Sequence, residues 1–220
     1  MKKEKFFTET IIKWYKQFGR KELPWRKTSD AWKVLLAAIL LKKTTVNQVL
    51  KVYNLLANYT PRDILNIDEL VLKDILRPLG MENQRTKLLK KLAKKLIEDF
   101  NGKVPCDEKL KELPGVGDYT YSEVMLLACN KRSVLLDRNM IRVLERFFPI
   151  KSLKKRPKDD KNLWTKALSL VPKNIKEARD FNLGILDFAN KICKARNPKC
   201  SICPLKSMCF YYNKSFSKKN

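Results

Sequence analysis

Apolar positions recur at helical spacing almost from the start of the chain. Phe7, Ile11, Trp14, Tyr15 and Phe18 share one face and Gly19 ends the run, which predicts a first amphipathic helix. After Leu23-Pro24-Trp25, the residues Trp32, Leu35, Leu36, Ile39 and Leu40 fall together, while Val34, Ala37, Ala38 and Leu41 make the other faces apolar too. A helix that is apolar all round belongs in the middle of a core. The run stops at Lys42-Lys43-Thr44-Thr45, and Val46, Val49, Leu50, Tyr53 and Leu56 resume the period, so a cationic joint between two buried helices points outward. Thr60-Pro61-Arg62-Asp63 combines an N-cap, a proline at the first helical position and an acid three residues after the cap. Short helices through Leu65 and Leu76 follow. A long helix then starts near Asn83, marked by Leu88, Leu89, Leu92, Leu96 and Phe100, and its Arg85, Lys87, Lys90, Lys91, Lys94 and Lys95 read mainly as a solvated face.

Asp107 is placed to cap a short helix that runs to Leu113. Leu113-Pro114-Gly115-Val116-Gly117-Asp118-Tyr119-Thr120 then makes a tight turn into a helix bearing Tyr121, Val124, Met125 and Ala128, which gives helix, hairpin, helix. Asp137 opens the next helix, marked by Met140, Ile141, Leu144 and Phe147, and Lys154-Lys155-Arg156-Pro157-Lys158 reads as an exposed connection. Two further helices, around residues 164–171 and 174–192, precede a terminal cysteine cluster. No alternating strand pattern and no internal repeat occurs, so the expected class is all-α.

Two of these features carry candidate chemistry. A Gly-x-Gly turn needs glycine for positive φ and for close approach, and it leaves N–H donors free at the next helix start, where a phosphate binds without its sequence being read. An ordinary helix–helix turn accounts for the same residues. Asp137, followed by Arg138-Asn139-Met140, is an N-cap. The same carboxylate is suited to stabilising an oxocarbenium-like sugar and orienting water, and one residue can do both.

Charge and cysteine content narrow the field. Lys and Arg number 48 against 23 acidic residues, and the net charge of +25 points to a polyanionic partner, although lysine-rich and heat-adapted compositions account for part of the excess. No stretch is apolar for long enough to cross a bilayer, and the first residues lack a signal-peptide core, so a soluble, cytoplasmic, nucleoid-associated protein is expected. The chain has no histidine, which removes His-based catalysis and His metal ligands. Its six cysteines, in a reducing compartment, argue for metal binding rather than disulfides. Cys193, Cys200, Cys203 and Cys209 are spaced C-x6-C-x2-C-x5-C, a set able to hold zinc or an iron–sulfur cube. With a single C-x2-C the spacing favours [4Fe–4S], in a structural role. Lys191, Lys194, Arg196, Lys199 and Lys206 around it suit contact with a phosphate backbone, and Cys106 and Cys129 are expected as small core or surface residues.

Leu23-Pro24-Trp25, the hairpin at 113–120, Asp137-Arg138-Asn139 with Arg142, and the cysteine pattern preceded by Phe181-Asn182 occur in the order found in the helix-hairpin-helix DNA glycosylases with an iron–sulfur cluster. The chain resembles that superfamily, which includes endonuclease III and the adenine mismatch glycosylase, over nearly its whole length. The resemblance implies a six-helix barrel at 24–133, with the helix-hairpin-helix at about 107–128, and a cluster domain formed by 1–23 with 134–220. Asp137 would stand at the mouth of the cleft, and a damaged or mismatched nucleotide would be flipped there from double-stranded DNA by a monomeric enzyme. Bifunctional relatives carry a lysine nucleophile where this chain has Tyr119, so a glycosylase without β-lyase activity is implied. The adenine glycosylases carry a catalytic glutamate where this chain has Ala38. The joint and Tyr119 look most like the archaeal mismatch glycosylases that remove thymine or uracil opposite guanine. In them the joint fills the gap left by the flipped base, which makes Lys42 the candidate wedge. Tyr119 would contact the flipped nucleotide beside catalytic Asp137. Gly115, Val116, Gly117, Lys42, Lys43, Asn139 and Arg142 would bind DNA. Two other readings stay open: a glycosylase for another base, such as 8-oxoguanine or a modified adenine, and a non-catalytic DNA-binding module.

Overall fold

The computed structural model describes residues 2–216, and every regular element among them is helical. Contacts divide the chain into two compact units, one from Glu22 to Lys131 and one combining Met1–Lys21 with Arg132–Asn220.

The continuous unit carries six α-helices: α2 (Ala31–Leu40), α3 (Val46–Leu56), α4 (Pro61–Asn66), α5 (Glu69–Leu76), α6 (Glu82–Phe100) and α7 (Asp118–Leu127). Asp30 starts α2 by accepting the Lys33 N–H, and every side chain from Val34 to Leu40 is buried, as an all-apolar helix requires. This helix packs on α3 and α7, whereas α4 and α5 pack on α6. The Leu-Pro-Trp stretch forms a 3-10 turn, Pro24–Arg26, whose buried Trp25 meets the Tyr53 ring edge-on at 5.1 Å. Capping boxes start both α3, at Thr45 and Gln48, and α4, at Thr60 and Asp63.

Two cations of α6 depart from the solvated face that their sequence suggests. Arg85 is only 7% exposed, and Lys90 donates from Nζ to the carbonyls of Leu65 (2.8 Å) and Ile67 at the end of α4. They satisfy carbonyls left orphaned at helix ends.

Cys106 and Cys129 also depart from expectation: they form a disulfide, with Cα atoms 5.6 Å apart, instead of standing as separate thiols. The bond joins the residue just before the first helix of the hairpin to the segment just after α7. That first helix is a 3-10 element, Glu108–Glu112, capped by Asp107.

The other unit holds α1 (Lys3–Phe18), α8 (Arg138–Phe147), α9 (Lys161–Leu170), α10 (Ile175–Lys191) and the short α11 (Phe210–Phe216). α1 lies along α10 so closely that a Cβ on Gly184 would come within 3.0 Å of Ile11 and Tyr15 side-chain atoms. Phe7, Phe147, Phe148 and Phe181 form the aromatic centre, with the Phe7 and Phe147 rings 4.8 Å apart. Fully buried Asp187 on α10 is held by Arg20, through Nε at 2.7 Å and the backbone N–H at 2.8 Å. No helix among the described residues is long and apolar enough to cross a membrane.

Candidate active site and DNA-binding loops

The segment that delivers Asp137 is set by Asn182 of α10. Its Oδ1 accepts the Leu135 N–H at 2.8 Å, and its Nδ2 donates to the carbonyls of Ser133 (3.1 Å) and Ala178 (2.8 Å). Val134, Leu135 and Leu136 are buried behind it, so the chain enters α8 along one path. This explains the Phe-Asn pair of the sequence pattern: Phe181 fills the core and Asn182 fixes the approach to the carboxylate.

Asp137 caps α8 with one oxygen, Oδ1 accepting the N–H groups of Asn139 (2.9 Å) and Met140 (2.8 Å). Oδ2 accepts from the Asn139 side-chain amide at 2.6 Å. Burial pushes the carboxyl pKa up, and the bonds from Met140 and Asn139 and the positive charge of Arg142 oppose that rise. The result is a partly desolvated carboxylate whose orientation is set by its own helix terminus.

Asn139 and Arg142, read from sequence as DNA contacts, are engaged inside this unit. Arg142 Nη1 donates to Asn139 Oδ1 at 3.1 Å, Nη2 to the Ala189 carbonyl at 3.0 Å, and Nε to the Cys193 carbonyl at 3.0 Å. One turn further along α8, Arg146 donates to the Cys193 sulfur (3.5 Å) and to the carbonyls of Lys194 (2.6 Å) and Ala195 (3.0 Å), and its guanidinium lies over the Tyr211 ring. A continuous path thus runs from the Asp137 carboxylate through Asn139 and Arg142 to the first cysteine. Arg146 had no local sequence signal, because its partners are carbonyls some 50 residues away.

Cys193, Cys200, Cys203 and Cys209 are unpaired thiols of intermediate exposure in one terminal loop. Burial and neighbouring thiolates raise the pKa of Cys200 and Cys209, and that of Cys203 to about 12. A multivalent cationic centre beside them would stabilise Cys200, Cys203 and Cys209 as thiolates. No nitrogen ligand competes, since histidine is absent. Among the described residues, no three His, Cys, Asp or Glu side chains converge on a point suited to a single ion.

In the other unit, the hairpin glycines differ in role. Gly115 has φ +81°, and a Cβ there would lie 3.0 Å from Ile39 and 3.1 Å from Leu88 side-chain atoms. Gly117 is extended, with φ −106°, and a Cβ there would meet nothing within 4 Å, so the expected positive φ holds only for Gly115. Gly117 is the N-cap of α7 and offers no side-chain acceptor to the first-turn N–H groups. Val116 spends its N–H on Leu113 at 3.1 Å. The turn therefore presents uncapped donors over an open glycine, a geometry suited to a phosphate oxygen. Tyr119 is the second residue of α7 and is half-buried.

Lys42 and Lys43 sit exposed on the joint between α2 and α3, with Lys43 in the left-handed region at φ 55°. The Lys42 ammonium bonds the Gly115 carbonyl, and surrounding protein atoms lower its pKa against the opposing charge of Glu123. The joint and the hairpin turn are thus directly linked.

The profile of the HhH-GPD superfamily base excision DNA repair proteins matches residues 36–168. The chain belongs to this superfamily. The profile of the iron–sulfur binding domain of endonuclease III matches residues 193–209, a stretch that spans all four cysteines and points to an iron–sulfur cluster. A thymine/uracil-DNA glycosylase of Pyrobaculum aerophilum is 54% identical over 212 residues, covering 94% of this chain and 92% of its own. A thymine-DNA glycosylase of Aeropyrum pernix is 51% identical over 206 residues, covering 92% of each. Among solved structures, a thermostable thymine-DNA glycosylase matches with a TM-score of 0.90 at 39% identity, over 97% of this chain and 98% of that one. A non-covalent endonuclease III–DNA complex matches with a TM-score of 0.81 at 25% identity, over 99% of both chains. The architecture is the two-domain, all-helical fold of the HhH-GPD glycosylases.

Proposed function

We propose that the protein is a monofunctional DNA N-glycosylase of base excision repair that removes thymine or uracil opposite guanine and leaves an abasic site. The observation that carries the reading is Asp137: a desolvated carboxylate fixed by its own helix cap and by Asn139, in a chain with 54% identity to a thymine/uracil-DNA glycosylase. Its negative charge would stabilise the sugar cation as the bond from C1′ to the base nitrogen breaks. Water then adds to C1′, and the base leaves carrying the proton that balances its charge.

The hairpin turn at 113–117 would hold a phosphate through backbone N–H groups, without reading sequence. Lys42 of the joint would enter the space left by the flipped nucleotide, Lys43 beside it would bind the DNA, and Tyr119 would contact the flipped nucleotide. Tyr119 occupies the position where a lyase needs an amine, and a phenol forms no Schiff base. Cys193, Cys200, Cys203 and Cys209 would hold a [4Fe–4S] cluster, which ties the terminal loop and supplies no step of the hydrolysis.

The test is a duplex carrying G·T or G·U, incubated with the protein and then heated in alkali. Strand breaks are expected with the wild type and not with Asp137→Asn, which should still bind the duplex. Intact strands after incubation with folded, DNA-binding wild type would refute the function.

A further inference from the structure

Arg85 lies in the first turn of α6 with 7% of its surface exposed. Its guanidinium donates to three backbone carbonyls: Nε to Gly80 at 2.8 Å, Nη1 to Leu40 at 3.2 Å and Nη2 to Lys42 at 2.7 Å. Burial lowers its pKa, and no carboxylate offsets that effect. Burying a cation against neutral dipoles alone is costly, and an apolar side chain of similar length would fill the space without that cost. What only the planar fork does is gather carbonyls from two separate chain segments.

Those segments are the start of the joint at 41–45 and the turn at 77–81. Gln48 ties them a second time: its Nε2 donates to the Pro78 carbonyl at 3.3 Å, while its Oε1 accepts the Thr45 N–H at 3.1 Å. Each segment contains a non-glycine residue in the left-handed region, Lys43 at φ 55° and Met81 at φ 56°. Such conformations are strained for a residue with a side chain and persist where the surroundings over-determine them. Lys42, Lys43 and Met81 are nevertheless exposed. The segments are thus rigid in backbone and open in side chain, an arrangement that serves an incoming ligand better than it serves the core.

We propose that Arg85 is a positioning residue for nucleotide extrusion, holding the joint at 41–45 and the turn at 77–81 as one preformed edge that enters the duplex. This rests on the reading of the joint as the element that fills the gap in DNA. Without the clamp, both segments order only on contact with DNA, and that entropy is charged to the extrusion step.

Two measurements on the full-length protein test the proposal, using Arg85→Met and Arg85→Lys. Amide hydrogen exchange should accelerate about tenfold or more at 41–45 and 77–81 in Arg85→Met, with the interior of α2 and α6 unchanged. In the Asp137→Asn background, 2-aminopurine placed beside the G·U pair should report extrusion slowed about tenfold or more, with affinity for undamaged duplex within about twofold. Arg85→Lys should recover part of both losses, and Gln48→Ala should loosen the same two segments. Unchanged exchange there, acceleration spread evenly over the unit, or unchanged extrusion would overturn the proposal. If Arg85→Met does not fold, Arg85→Lys and Gln48→Ala decide the matter by the same two readouts. A wild type inactive on G·T and G·U would defeat the function reading alone, because the exchange result judges the clamp without catalysis.

Discussion

The Asn139 side-chain amide donates to Oδ2 of Asp137 at 2.6 Å, and its own oxygen is held in turn by Arg142. The donor stabilises the ionised carboxylate against the burial that disfavours it. Asn139→Ala removes it, so the carboxyl pKa should rise further and the acid limb of the single-turnover pH–rate profile should move to higher pH. Arg142→Met should shift the limb the same way, with a rate loss of roughly 10–100-fold for either variant. A uniform rate loss with an unmoved limb would show that these residues act by other means.

Because burial raises the Asp137 pKa, the folded state disfavours its charge. The stability associated with this group is fullest below the unfolded pKa and is lost as pH rises through the higher folded value. Asp137→Asn removes that penalty and keeps an N-cap oxygen. At neutral pH the variant should melt no lower than the wild type, gaining roughly 2–4 °C per kcal/mol relieved, while activity falls roughly 100-fold or more. The melting difference should disappear in acid. Thermal denaturation across pH checks the sign.

The two hairpin glycines separate stability from binding. Gly115→Ala places a Cβ at φ +81° against Ile39 and Leu88, so it should destabilise the protein by about 1–2 kcal/mol. Gly117→Ala meets open space, so stability should change by less than about 0.5 kcal/mol while DNA affinity falls. Denaturant unfolding and DNA titration on both variants decide the point.

The Cys106–Cys129 bond closes a loop of sequence separation 23 around the hairpin. Loop-closure entropy makes it worth about 3 kcal/mol. Cys106→Ser with Cys129→Ser should lower the unfolding free energy by that order and leave the cluster's visible absorption unchanged. Equal stability of the variant and the wild type under non-reducing conditions would argue that the bond does not form in solution.

What the sequence made legible is what is local. The Thr60–Asp63 capping box, the Asp137 cap and the all-apolar α2 each depend on residues within a few positions. The four cysteines are likewise confined to residues 193–209. Arg85 and Lys90 looked like their exposed lysine neighbours, because only tertiary packing brings orphan carbonyls to them. The disulfide was hidden because nothing local in the chain tells how near the two ends of the hairpin come to each other. Gly117 looked equivalent to Gly115, although Gly115 holds a left-handed backbone against Ile39 and Leu88 while Gly117 is extended in open space. That Asn139 and Arg142 also bond within their own unit was not legible, because their partners include carbonyls some 50 residues along the chain.

On the function proposed above, Asp137 with Tyr119 in place of an amine would give base excision that stops at the abasic site. Single-turnover reaction on a G·T duplex, divided between alkali-treated and untreated halves, probes this without intermediaries. Strand breaks are expected only after alkali, with no covalent complex on borohydride addition. Breaks in the untreated half together with a borohydride-trapped complex would contradict it, and would place an amine of this chain where Tyr119 has been read as excluding one.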